Sequence, residues 1–430
     1  MMLAIDRLSV SEIVTLQESR LKELLSYVRA KSPFYSTLFK EHNIDISKIK
    51  SLHDLKNIPT TSKEDIQVHN MDFLCVPKHH VLEYTTTSGT LGAPVTIALT
   101  RNDIRRLAYN EYLSFHCTGA SSKDIFQLVL TLDKQFMAGI AYYLGASRLN
   151  AGIIRTGPGA PSMQWETISR VNTTSLVIVP SFILNLIEYA RDNHIDFRDS
   201  SVKRAICIGE NIRNEQFEFN TIGKRIREQW DIELYSTYAS TEIQTAFTEC
   251  SYGVGGHLHP ELLIAEILDE AGNPLEYGEK GELTITTLGV EGMPLIRYRT
   301  GDICALYDSP CKCGRTTLRI SPILGRKKQI IKFKGTSLYP SAIYEILNGN
   351  SNIIDYVLEI SSSELDTDDL TIWIAAKDQS DKVLSKLTSY LHASLRVMPK
   401  IIFTDIEKIR EKQVTGVGRK PQRFIDRRII

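Results

Sequence analysis

Between residues 80 and about 240, short apolar runs alternate with amphipathic stretches. No other feature limits the architecture as much. The runs Ile125–Leu132, Gly152–Thr156, Leu176–Val179, Ala205–Ile208 and Ile232–Tyr235 are brief and continuous, as strands buried on both faces are. Phe182–His194 and Gln216–Trp230 read as helices between them. This alternation predicts a largely parallel sheet covered by helices. Ligands of such sheets sit beyond the carboxyl ends of the strands. Gly157, Gly209-Glu210 and the polar run after Tyr235 all follow strand ends, so they are candidates for one cleft.

The flanks have different textures. Residues 10–66 read as helical and accessory: Leu16, Leu21, Leu24, Leu25 and Val28 recur at helical spacing until Pro33 interrupts, and Ser62 is a candidate cap for a short helix. From 258 to 307, Leu262–Leu268, the turn Ala271-Gly272-Asn273-Pro274 and Glu282–Leu288 read as antiparallel β. A further unit starts near Gly325, where Tyr356–Ile360, Leu370–Ala375, a helix near Asp381–Leu395 and Lys400–Thr404 predict a small α+β domain. The last 25 residues are basic, carry Gly416, Gly418 and Pro421, and read as an exposed loop or tail. The expected class is α/β. A large N-terminal domain over 1–325 would hold mostly parallel sheets flanked by helices plus an antiparallel β region, with an accessory helical segment over about 1–75. A small α+β C-terminal domain would cover 326–430.

Lys plus Arg equals Asp plus Glu at 51 each, which gives no broad basic signal for nucleic acid or an acidic membrane. No segment reaches the ~20 apolar residues that span a bilayer, and Met1 to Arg7 does not read as a signal peptide. Seven cysteines, an odd number in a chain of 430 residues, argue against a disulfide framework. The expectation is a soluble, reduced, cytoplasmic protein with neither a nucleic-acid nor a membrane partner.

Several stretches could carry chemistry. Thr85-Thr86-Thr87-Ser88-Gly89-Thr90, followed by Gly92 and Pro94, has little side-chain bulk and many donors. Such a loop can wrap a polyphosphate, or be a polar turn between strands. It lacks the lysine of a P-loop. In Tyr238-Ala239-Ser240-Thr241-Glu242 the ring could stack on a flat ligand and Glu242 could bind a cation; a capped helix start explains the segment equally well. Asp302, beyond the Gly301 turn and behind Arg297 and Arg299, could hold a ribose diol or pair with an arginine. Cys250-x6-His257 and Cys311-x-Cys313 offer the ligands of a closed, tetrahedral zinc site, against the alternative of ordinary core cysteines. Gly325 to Gly335 is a basic stretch at the suspected domain boundary. Lys420 is one of many tail cations.

Together these segments resemble the adenylate-forming enzymes, and specifically the phenylacetate–CoA ligase branch. The resemblance runs through Lys31 to Tyr35, Ile58 to Asp65, Thr87 to Thr90, Tyr238 to Glu242, Arg297 to Asp302, Cys311 to Thr316, Gly325-Arg326 and Arg423 to Asp426. It implies that Ser88, Gly89 and Thr90 hold ATP phosphates, that Gly209 and Glu210 border the adenine, and that Tyr238 stacks on it. Thr241 would touch the α-phosphate, Glu242 would bind Mg²⁺, and Asp302 and Arg326 would hold the ribose. Lys328 falls at the hinge of a mobile lid that carries the catalytic Lys420. Zinc on Cys250, His257, Cys311 and Cys313 also looks like this branch. The chain departs from the family pattern at Ala93 (usually Lys), Ala239 (usually Gly) and Lys328 (usually Asp).

The implied reaction has two steps. A carboxylate attacks the α-phosphorus of ATP and releases pyrophosphate; a thiol, that of CoA, then displaces AMP. The Lys334-Gly335-Thr336-Ser337 turn would line the thiol's path. The acid is expected near Phe136, Gly139, Tyr142, Gly157 and Gly159, closed by Ile208 and Ala239. These residues suit an aryl or arylacetic acid, although each could equally be core. Two alternatives stay open: transfer to a carrier-protein phosphopantetheine thiol or an amine, and nucleotide binding without turnover. A homodimer remains among the expected assemblies.

Overall fold

The computed structural model describes residues 4–87, 95–333, 336–362, 368–395, 398–414 and 422–428. The chain divides into two compact units. Of the described residues, the first comprises 4–87, 95–300 and 304–323, and the second 301–303 and those from 324 onward.

The first unit opens with α1 (Val10–Lys31). Ser9 and Glu12 form a reciprocal capping box, in which Glu12 N donates to Ser9 Oγ and Ser9 N donates to Glu12 Oε2. Such caps are worth about 0.5–2 kcal/mol. Ile13, Leu21, Leu24, Leu25 and Val28 form the buried stripe. Ser32 then caps α2 (Pro33–Glu41), whose Tyr35 is fully buried and accepts the Ile296 N–H on its hydroxyl. Ser62 and Asp65 box the start of α3 (Lys63–Val68), so the expected cap forms. Thr61 lies alongside Tyr298: its N–H donates to Arg297 O and its carbonyl accepts from Arg299 N.

β1 (Val81–Thr86) pairs antiparallel with β2 (Thr96–Thr100). Another capping box, Thr100 with Asp103, starts α4 (Arg101–Cys117). Next come β3 (Ile125–Val129), α5 (Met137–Arg148), β4 (Gly152–Arg155), α6 (Pro161–Val171), β5 (Ser175–Ile178), α7 (Pro180–Asp192), β6 (Arg204–Cys207), α8 (Thr221–Gln229) and β7 (Glu233–Ser240). Strands β3 to β7 pair in parallel in the order β4-β3-β5-β6-β7. Two apolar layers cover the sheet. Phe126, Leu128, Val177 and Ile206 belong to one; Leu176, Ile178, Ala205 and Cys207 belong to the other.

Helix α8 starts five residues later than the sequence suggests, for a local reason. Asn214 Oδ1 takes the N–H groups of Gln216 and Glu218, Phe217 sits at φ +63°, and Asn220 supplies the true cap by accepting from Gly223 N. The same sheet continues with antiparallel strands β8 (Thr245–Glu249) and β9 (Gly256–His257). Antiparallel pairing therefore begins before residue 258, where the sequence placed it. β10 (Leu263–Leu268) and β11 (Gly281–Thr287) form the expected hairpin. β12 (Tyr298–Cys304) and β13 (Leu306–Tyr307) follow, and β14 (Arg319–Ile320) links β13 to β9.

In the second unit β15 (Gly325–Arg326) sets Arg326 opposite Asp302. β16 (Ile331–Phe333), β17 (Thr336–Leu338), α9 (Pro340–Asn348), β18 (Ile353–Ser362), β19 (Asp368–Ala376), α10 (Asp381–Leu395), β20 (Lys400–Phe403), α11 (Ile406–Gln413) and β21 (Phe424–Asp426) complete it. Four strands lie in the order β20-β19-β18-β21. The final 25 residues are thus not a simple tail. Ile409 of α11 is fully buried, and β21 pairs in parallel with β18. Glycine and proline pointed to a loop, but the apolar Phe424-Ile425 pair was the better signal of a strand.

None of the described helices is long and apolar enough to cross a membrane.

Candidate active site

The stretch after Tyr235 is the tip of a β-hairpin rather than a helix start. Tyr238, Ala239 and Ser240 of β7 face Phe247, Ala246 and Thr245 of β8. The cross-strand pairs Tyr238–Phe247, with ring centroids 5.9 Å apart, and Thr237–Thr248, with hydroxyls 2.8 Å apart, hold the strand conformation. Thr241 and Glu242 lie in the connecting turn, which Gln244 closes at φ +51°. Arg106 braces this turn from beneath. It is buried and donates to Gln244 O, Thr245 Oγ1, Leu262 O and Leu288 O. Burial pushes its guanidinium down to about 10, so it remains charged at neutral pH. Glu242 is buried, and its Oε1 lies 3.4 Å from Lys63 Nζ.

Side chains alternate along a strand, so Thr237 and Ala239 share one sheet face with Thr248 and Ala246. Helices α4 and α5 reach that face. Tyr142 of α5 hydrogen-bonds Thr237, and Asn110 Oδ1 of α4 accepts from Ala246 N. Phe136, Tyr142 and Ile208 belong to one apolar cluster on this side. Four of the proposed acid-pocket residues therefore share one face, with Ala239 exposed at its edge. Gly139 has a packing reason: a Cβ there would lie 2.7 Å from Leu132 Cα and Thr131 O. Gly157 and Gly159 follow β4 with φ of +71° and +129° and open space where a side chain would be. Glu210, expected beside the adenine, is engaged with the start of α7, accepting from Ser181 N at 2.8 Å and Ser181 Oγ at 2.9 Å.

Sequence reasoning missed Glu111. It falls in the buried stripe of α4 with Asp103, Arg106, Leu107 and Asn110, and that stripe was the signal that could have found it. Its Oε1 accepts from Asn110 Nδ2, while its Oε2 has no partner among the described residues. Burial pushes its carboxyl up to about 8, leaving it largely protonated at neutral pH.

The two cysteine-containing segments do converge. The ligand atoms of Cys250, His257, Cys311 and Cys313 all lie within 4.8 Å of one another. Cys250 Sγ is 3.6 Å from Cys311 Sγ, and Cys313 Sγ is 3.5 Å from His257 Nε2. These are the spacings of neighbours on a tetrahedron with metal bonds of about 2.0–2.3 Å. Burial pushes His257 down to about 3, so its ring is neutral, as a ligand must be. Its Nδ1 lies 3.2 Å from Thr317 Oγ1, which orients the ring. The residues fit a zinc ion. β8, β9 and the loop before β14 bring them together.

In the second unit Asp302 is buried, and its Oδ1 accepts from Arg326 Nε at 3.2 Å across the β12–β15 pairing. Lys328 lies in the short turn Lys327–Gln329. Ser88, Gly89, Thr90, Ala93, Lys334, Gly335 and Lys420 lie outside the described residues.

Residues 13–292 match the model of the AMP-binding enzyme family. The chain belongs to that family. It is 30% identical to a phenylacetate-coenzyme A ligase of Thermus thermophilus over 80% of this chain and 77% of that one. It is 29% identical to the enzyme of the same name from Escherichia coli over 79% and 77%. These similarities set it in the phenylacetate–CoA ligase branch. Its fold is that of a crystallised 2-hydroxyisobutyryl-CoA ligase, with a TM-score of 0.84, 23% identity, and coverage of 98% of this chain and 90% of that one.

Proposed function

We propose that the protein activates a carboxylic acid, aryl or arylacetic, with ATP and passes the acyl group to the thiol of CoA. The observation that carries this is the β7–β8 hairpin: a partly buried aromatic ring, a hydroxyl and a carboxylate stand in succession at its tip, beside the apolar face that holds Phe136, Tyr142 and Ile208. Similarity to the two phenylacetate-coenzyme A ligases supports it.

In the first step a carboxylate oxygen bonds to the α-phosphorus and pyrophosphate leaves. The acid is already an anion, so the protein's task is positioning and charge neutralisation. Tyr238 offers a stacking face for adenine, with Gly209 and Glu210 bordering it. Thr241 faces the α-phosphate, while Ser88, Gly89 and Thr90 supply phosphate donors. Asp302 and Arg326 hold the ribose, and Lys420 stabilises the charge that develops. Glu242 is the residue that would hold Mg²⁺, which supplies charge neutralisation at the phosphates. Phe136, Gly139, Tyr142, Gly157, Gly159, Ile208 and Ala239 shape the acid pocket. In the second step the CoA sulfur, having lost its proton, bonds to the acyl carbon and AMP leaves with its electron pair. Residues 326–430 act as a lid that turns at Lys328 between the steps. Cys250, His257, Cys311 and Cys313 hold a structural zinc ion, since four protein ligands leave no open position.

Acid-dependent ATP–pyrophosphate exchange, followed by CoA-dependent release of AMP, tests this reading. Lys420→Ala should lose exchange. Exchange across a broad acid panel with no CoA product, but with loading of a phosphopantetheinylated carrier, would redirect the second step. ATP binding with no exchange at all would leave a nucleotide-binding protein. Sedimentation would decide between monomer and homodimer.

A further inference from the structure

Arg428 lies two residues beyond Asp426, the last residue of β21, and its guanidinium faces two ways. Toward the sheet, Nε and Nη2 bond Asp426 Oδ1 and Oδ2 at 2.9 and 2.5 Å, and Nη1 bonds Asp368 Oδ2 at 3.1 Å. Away from it, Nη1 donates to Ile330 O and Nη2 donates to Lys328 O, each at 2.8 Å. Asp426 belongs to β21 and Asp368 opens β19, so both carboxylates are fixed to the four-stranded sheet. The carbonyls belong to Lys328, inside the turn Lys327–Gln329, and to Ile330, the residue just after it. Five side-chain bonds therefore join that backbone to the sheet through one planar group.

We propose that Arg428 is a positioning residue that fastens the Lys328–Ile330 backbone to the sheet of the C-terminal unit. Any rotation of that unit is then taken up before the Lys328 carbonyl, and the chain beyond it moves as one piece with the sheet. This rests on the reading of Lys328 as the hinge between two catalytic steps. A fixed pivot lets one swing deliver different groups to the same place in each step. A loose pivot leaves the first step possible but makes the changeover imprecise.

The test compares Arg428→Lys and Arg428→Gln with the unsubstituted enzyme. Lysine keeps the charge but lacks the planar fork that reaches two carbonyls and two carboxylates together. Trypsin has sites at Arg326, Lys327 and Lys328, so cleavage there, measured well below each variant's melting midpoint, reads the fastening without any assay of activity. Both variants should be cut roughly five-fold faster at these sites. Both should keep pyrophosphate exchange within about two-fold while CoA-thioester formation falls about ten-fold. Unchanged cleavage in both variants overturns the proposal. So does an equal fall in the two half-reactions, which would mean a merely structural arginine. If the unsubstituted enzyme shows no exchange, the ligase reading fails by itself and proteolysis still decides whether Arg428 holds the segment.

Discussion

Lys63 Nζ stands 3.4 Å from Glu242 Oε1, joining the first turn of α3 to the tip of the β7–β8 hairpin. The carboxylate side chain is only 10% exposed and the lysine 28%, so the contact is partly shielded from water. The residue proposed to take Mg²⁺ is thus already neutralised by a cation of the protein. Incoming metal has to displace or share that ammonium.

Replacing Lys63 with Met should therefore lower the Mg²⁺ concentration at half-maximal exchange. A partly exposed pair is worth about 1 kcal/mol or less, so the midpoint should move by up to about five-fold. Lys63→Arg should leave it in place. A titration with the same midpoint in all three proteins would show that the pair does not compete with the metal.

The purified protein should carry about one zinc per chain. Cys311→Ser should lose the metal and lower the melting temperature by several degrees, because the cluster joins β8 and β9 to the loop before β14. Metal analysis and calorimetry check this together; a metal-free wild type of undiminished stability would contradict it.

Ala239 presents its methyl group at the edge of the face that holds Tyr142 and Phe136. Ala239→Gly should widen the acid pocket by that volume. One methyl of space is worth about 1–3 kcal/mol of discrimination, so kcat/KM for a bulkier acid should rise about ten-fold or more relative to a smaller one. The glycine itself should cost about 0.5–1 kcal/mol of stability. Parallel kinetics on a graded acid series would reveal the change, and an unaltered order of preference would move the pocket elsewhere.

Glu111 makes stability depend on pH in a definite direction. Burial raises its carboxyl to about 8, with Asn110 as its hydrogen-bond donor and Tyr142 the titratable side chain beside it. The unfolded side chain ionises near the ordinary value of about 4.3. The native state binds the extra proton, so this stabilisation is complete below about pH 4 and is lost as pH rises through about 8. Glu111→Gln should flatten the decline in unfolding free energy between about pH 5.5 and 8.5 by on the order of a few kcal/mol. Urea unfolding at the two pH values measures it. An equally steep decline in the variant would remove Glu111 as the source.

Much of the parallel sheet was legible because its inner strands are buried on both faces, whereas β4 at the edge, expected to be buried, is only partly covered. Runs such as Leu176–Val179 have no polar interruption and stand one residue from the observed β5 (Ser175–Ile178). The helix over Asp381–Leu395 was read to its last residue. Local polar bonding was harder to see. Asn214 and Asn220 decide where α8 starts, yet the apolar pattern around them runs on without a break. The cysteine–histidine cluster was legible only as ligand types, since strand pairing among β8, β9 and β14 brings distant cysteines together and no spacing rule encodes it. Lys63 and Glu242 met for the same reason. Each sits in its own legible motif, but their contact depends on how α3 docks along β12 through Thr61. Arg428 was hidden among tail cations because the two carbonyls it holds leave no trace in composition and Asp368 reaches it only through the fold.

The loop that carries Cys311 and Cys313 also holds residues 6–8. Arg315 Nε lies 3.3 Å from Asp6 Oδ2, and Thr316 Oγ1 donates to Leu8 O. During translation these two contacts cannot form until residue 316 has been synthesised. Residues 6–8 therefore complete their packing late, once a loop 308 positions further along has left the ribosome.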